Sequence, residues 1–251
     1  MAVHGALMKK KSLGISLALL LPCASAAACP PSAAIEKILS LGSVYIGELH
    51  GTSQSPDLVR CLAEASIARH IRPLTVSLEI PPDAVDPTSL FWRGEDGRAS
   101  EAMFALVGYL KAQQDAGLLR LHFQDLRGDQ RSPDNDERAG KEIASLAAEG
   151  RVIALSGNFH SRHTAPGEDV ARRPTGDFVG SSVKTIYLTT VRGGSAWVCM
   201  AGICGVHAIP PNNVHGIYEL ADGAQVGHDW IFPMEQFTAS PPMVSDRTAR
   251  R

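Results

Sequence analysis

Short apolar runs alternate with amphipathic stretches from about residue 34 to 157, and this alternation confines the chain to βα units laid along a parallel sheet. The runs cover residues 43–47, 74–80, 118–123 and 152–155. The fourth is aliphatic throughout, and the second carries no charge before Glu79, as strands covered by helices on both faces do. The stretches between them carry apolar side chains at helical spacing: Leu58, Leu62, Ala65 and Ala68, then Met103, Leu106, Val107 and Leu110, then Ala139, Ile143, Leu146 and Ala147. Ser55-Pro56 and Ser132-Pro133 each read as an N-cap followed by proline in the first helical turn. Residues 83–97, with Pro87, Gly94 and Gly97, break the pattern and read as a loop or lid holding one short helix. Phe91 and Trp92 in that insert either close over a ligand or form a small satellite core.

Beyond residue 157 the character changes. Residues 183–191 read as a strand, residues 196–199 and 205–209 as a hairpin, and weaker strand signals follow around Ile217 and Trp230. The Pro-, Ser- and Arg-rich tail is expected to fray from about Ser240. The predicted fold is α/β: a mainly parallel sheet flanked by helices, with a β-rich C-terminal part containing a disulfide hairpin, in one domain over residues 29–251.

Residues 1–28 read as a signal peptide. Lys9, Lys10 and Lys11 precede an apolar stretch over residues 13–21, Pro22 breaks it, and Ala24-Ser25-Ala26 supplies small residues for cleavage. The stretch is shorter than the roughly 20 residues a membrane span needs. A lipoprotein is disfavoured, because Pro22 precedes Cys23 and Cys29 has no leucine three residues upstream. Cleavage removes three of the 24 basic residues and none of the 26 acidic ones, so the remainder is mildly acidic, which gives no footing for nucleic acid. Losing Cys23 leaves four of the five cysteines, an even number suited to the periplasm or the extracellular space. Cys199 and Cys204 are spaced for a disulfide across a tight hairpin, which leaves Cys29 to pair with Cys61. Other pairings and free buried thiols stay open at this point.

Four strand ends deliver polar residues that a core strand has no reason to hold: Glu48 and His50, then Glu79, then Asp125, then Asn158 and His160. In an open parallel sheet the carboxyl ends line one crevice, so these side chains converge there. Two carboxylates close together can divide acid and base roles, and two imidazoles titrate near neutrality or bind metal. Glu48 and His50 are two apart and share a face if the strand continues. Taken singly, Glu79 reads as well as a cap, His160 as a structural histidine, and Asp125 as a loop cap beside Arg127. His163, three residues after His160, is a candidate second ligand, whereas His207, His215 and His228 fall in the β-rich part where edge or core roles are the default. No phosphate loop, Gly-x-Ser-x-Gly elbow, Cys-x-x-Cys pair or His-Glu-x-x-His helix is present.

At these residues the sequence resembles the superfamily of ChaN-like haem-binding uptake proteins, Tiki proteases and erythromycin esterases. The matching pieces are Gly47-Glu48-Leu49-His50-Gly51-Thr52, Glu79 within Ser-Leu-Glu-Ile-Pro, Arg138-Ala139-Gly140, and Gly157-Asn158-Phe159-His160-Ser161. The resemblance implies an α/β fold with its site at the sheet's carboxyl edge and Glu48, His50, Glu79 and His160 at its centre. Gly51, Thr52, Asp125, Arg138 and Asn158 are the expected substrate contacts, and Glu48, His50 and His160 the expected ligands of a divalent metal. The leading expectation is an exported hydrolase of ester or peptide substrates. A haem-binding protein for iron uptake and a non-catalytic envelope protein are the competing readings.

Overall fold

A computed structural model of the chain describes residue 1 and residues 29–124, 133–164, 173–200, 202–214 and 216–244. The segment expected to be the signal peptide lies outside them, as do Asp125, Arg127, Ser132 and His215. Among the described residues, no helix is long and apolar enough to cross a membrane.

The chain runs through α1 (Ser32–Ser40), β1 (Ser43–Glu48), α2 (Gln54–Ala68), β2 (Leu74–Leu78), α3 (Glu101–Asp115), β3 (Arg120–Phe123), α4 (Pro133–Glu149), β4 (Arg151–Gly157) and α5 (Asn158–Ser161). The C-terminal part adds β5 (Val183–Thr190), a hairpin of β6 (Gly194–Met200) and β7 (Ile203–Ile209), then β8 (Ala221–Asp222) and β9 (Trp230–Met234). Seven strands form one sheet in the order β3-β2-β4-β1-β5-β9-β8, parallel except at its β8 edge, while β6 and β7 pair apart from it. The mainly parallel sheet is therefore as the alternation predicted. The sequence pattern did not show that β5 and β9 extend it; both are parallel to it, with β5 against β1.

Each face of the sheet is covered. Val44, Ile46, Val76, Leu78, Ile153 and Leu155 pack against α1, α2 and α3, while Tyr45, Val152 and Ala154 pack beside α4 residues Ile143 and Leu146. This two-sided burial explains why β1 and β2 carry no charge before Glu48 and Glu79 and why residues 152–155 of β4 are aliphatic throughout. Helix α1 escaped the reading from periodicity, yet it buries Ala34, Ile35, Ile38 and Leu39. Ser100 caps α3 as its side chain accepts the Met103 N–H at 3.3 Å. Ser55 does not cap α2: the helix begins at Gln54, and the Ser55 hydroxyl is buried against Thr52 Oγ1 at 3.1 Å.

Disulfides join Cys29 to Cys61 and Cys199 to Cys204, the pairing expected from the cysteine count. The first ties the segment before α1 to α2; the second closes the β6–β7 hairpin. Trp92 is buried edge-on to Phe91 and Phe104, both at 4.9 Å, with its indole N–H donated to Ala84 O, so the insert packs into the main core and forms no separate satellite. Fraying does not set in at Ser240: its hydroxyl accepts the Ala102 N–H at 2.9 Å, and Met243 N–H donates to Ala99 O.

Candidate functional site

Strand register sets the positions of the acidic groups. Glu48, the last residue of β1, lies opposite Gly157 of β4, and Leu78 of β2 lies opposite Leu155. Glu79 continues the ladder one step past β2 by donating its N–H to Leu155 O at 3.0 Å. Two almost fully buried carboxylates therefore flank Gly157 at the carboxyl edge, one from the strand on each side.

Buried carboxylates require partners. Glu48 Oε1 takes the His50 Nδ1 at 2.9 Å, the same-face contact their spacing predicts. Glu79 Oε2 accepts the Gly157 N–H at 2.8 Å, while its Oε1 faces Arg98 Nη1 at 3.7 Å and His160 Nε2 at 3.9 Å. His160, on α5, presents Nδ1 to Asp136 Oδ1 at 2.6 Å, and the same oxygen accepts from Thr175 Oγ1 at 2.7 Å. A carboxylate only accepts, so Nδ1 of each imidazole carries a proton and Nε2 points away from its carboxylate partner. A methyl group at Gly157 would stand 2.9 Å from His50 Nε2 and 3.7 Å from Glu79 Oε2, so glycine is needed for these groups to meet. Glu48, His50, Glu79 and His160 are thereby brought into one cluster around Gly157.

The electrostatics set the charge of His50. Desolvation works against a charged His50, but the hydrogen bond and charge of Glu48, with the charge of Glu79, outweigh it and hold the pKa up at about 9. His50 is therefore a cation at neutral pH. Beneath Glu79, the buried Tyr45 hydroxyl accepts from Ser156 Oγ at 2.6 Å and donates to Gln124 Oε1 at 3.4 Å. Burial, reinforced by Glu79, pushes this phenol far above its ordinary range and keeps it protonated. The floor of the site is thus a neutral polar network.

Among the described residues, Glu48, His50 and His160 included, no three His, Cys, Asp or Glu side chains gather closely enough to hold an ion. His163 pairs elsewhere, with its Nε2 3.2 Å from Thr185 Oγ1 and 3.7 Å from Asp229. Of the expected substrate contacts, Asn158 directly follows Gly157 at the edge. Thr52 is turned inwards and donates to Leu49 O at 3.0 Å. Gly51, at φ +71°, is covered, since its carbonyl accepts the N–H groups of Trp197 and Ser240. Arg138 points along the outer face of α4, 3.3 Å from Glu142.

Three site residues were missed from the sequence: Asp136, Arg98 and Thr175. Asp136 carried a signal, because it precedes Ala139, Ile143 and Leu146 on the α4 core stripe, where a lone acid is out of place. Arg98 leaves the insert to reach both Asp96, at 2.6 Å, and Glu79. Nothing in its local sequence marks it.

The class these features define is an α/β protein with a carboxyl-edge cluster of paired imidazoles and carboxylates. No protein-family model and no curated protein sequence matches the chain. Solved structures do. A succinoglycan biosynthesis protein is 9% identical with a TM-score of 0.51, covering 82% of this chain and 91% of that one. A Bacillus cereus protein is 8% identical with a TM-score of 0.53, covering 84% and 93%. An erythromycin esterase in its open conformation is 11% identical with a TM-score of 0.44, covering 71% and 79%. The first two share the fold with this chain. An α/β fold is what the ChaN, Tiki and erythromycin esterase resemblance implied.

Proposed function

We propose that the chain is an exported hydrolase that activates water between His160 and Glu79 and opens an ester or amide bond of a small-molecule or peptide substrate. The observation that carries the reading is the pair of imidazole–carboxylate contacts, His50 with Glu48 and His160 with Asp136, set on either side of Glu79. Asp136 fixes the tautomer of His160, leaving Nε2 free to accept a proton. The 3.9 Å separation between Nε2 and Glu79 Oε1 is one that a water bridges, offering a hydrogen to each. His50, charged up to about pH 9, stabilises negative charge that develops on the substrate oxygen and protonates the leaving group. The Gly157 N–H, bonded to Oε2, and Arg98, facing Oε1, hold Glu79 in place. The two disulfides support export, since such bonds persist in oxidising compartments. Purified wild-type protein assayed against ester and peptide libraries is expected to turn over members of one of them. No hydrolysis of either would refute the reading.

A further inference from the structure

A cavity of about 290 Å³ opens beside the catalytic cluster, between the end of β5 and the chain that leaves β7. Its walls include Leu49, Leu188, Ile209, Pro211 and Phe237, and no Asp, Glu, Lys or Arg lines it. Leu49 stands between Glu48 and His50 in the chain, and Asn158, which also lines the cavity, directly follows Gly157. Tyr187, Thr189, Thr190 and Asn212 add neutral polar groups to the lining. Apolar walls with a few uncharged polar groups are the make-up of a small-molecule pocket, and this volume lies at the small end of that range.

We propose that this cavity is the subsite for a neutral, largely apolar group of the substrate. This rests on the hydrolase reading above and narrows it: the bond to be cut is joined to an uncharged aliphatic or aromatic portion, not to a phosphate, carboxylate or ammonium group. A charged group would enter a site that offers it no counter-charge.

The test uses the full-length mature protein and hexanamide as probe, followed by backbone amide shifts. Hexanamide is expected to shift Leu49, Leu188 and Thr190 saturably, whereas hexanoate leaves them unmoved. Ile209→Trp, which fills the cavity, is expected to abolish the response. Absence of saturable shifts in the wild type, equal binding by Ile209→Trp, or hexanoate binding as tightly as hexanamide would each overturn the proposal. The readout needs no turnover. Hexanamide bound in a protein inert towards every ester would sink the hydrolase reading and leave the cavity assignment standing.

Discussion

Glu48→Gln removes the charge that holds His50 protonated while keeping a side chain of the same size in the buried position. In the wild type, desolvation pulls the imidazole down, and Glu48, bonded at 2.9 Å, with Glu79, lifts it from 6.5 to about 9. Without the Glu48 charge the largest opposing influence, desolvation, goes largely unanswered, and the His50 pKa is expected to fall below 6.5. At pH 7.5 the wild-type imidazole is then almost wholly charged and the variant's almost wholly neutral. The sign for stability follows from the raised folded value: the contribution is full below pH 6.5 and is lost as pH rises through about 9. Its size is about 3 kcal/mol, an upper figure because His50 is a quarter exposed. Titration of ¹³C-labelled histidine by NMR, with His50 assigned by its absence in His50→Ala, reads the value directly. A wild-type His50 that titrates near 6.5, or one that Glu48→Gln leaves near 9, would refute the reasoning.

Asp136→Asn preserves shape but lets the side-chain amide donate to His160, inverting its tautomer; turnover is expected to fall about 10²–10⁴-fold while the far-UV spectrum is unchanged, as steady-state kinetics and circular dichroism will show. Gly157→Ala places a methyl group 2.9 Å from His50 Nε2, so both activity and stability are expected to drop, the latter by about 1–3 kcal/mol in denaturant titration. Replacing Cys29 and Cys61 with serine opens a loop of separation 32 and is expected to lower stability by about 4 kcal/mol, against about 2 kcal/mol for Cys199 and Cys204 at separation 5; equal losses would show that loop closure does not govern.

The parts of this protein that were legible in its sequence are those fixed by local pattern. Strands β1, β2 and β4 could be read because both their faces are buried, which leaves Glu48 and Glu79 conspicuous as the first charges after apolar runs. His50 and His160 followed from the same logic of strand ends. Arg98 and Thr175 were hidden because tertiary packing alone brings them to the site, one from an insert 19 residues beyond Glu79 and one from a short turn against α4. Asp136 is hidden in a different way: it lies on the core stripe of α4, where periodicity registers only the apolar members. The C-terminal strands were seen as β-rich, but whether β9 joined the main sheet depends on contacts with β5 that no periodicity encodes.

In the proposed reaction His160 and Glu79 act together on one water. The decisive comparison is kcat/KM for the wild type, Glu79→Gln, His160→Ala and the double variant on whichever ester or peptide the wild type cleaves, each confirmed folded. Both single variants are expected to lose about 10²-fold or more, and the double variant little beyond either, because groups that serve one step do not contribute additively. Full activity in either single variant, or losses in the double variant that multiply, would contradict it.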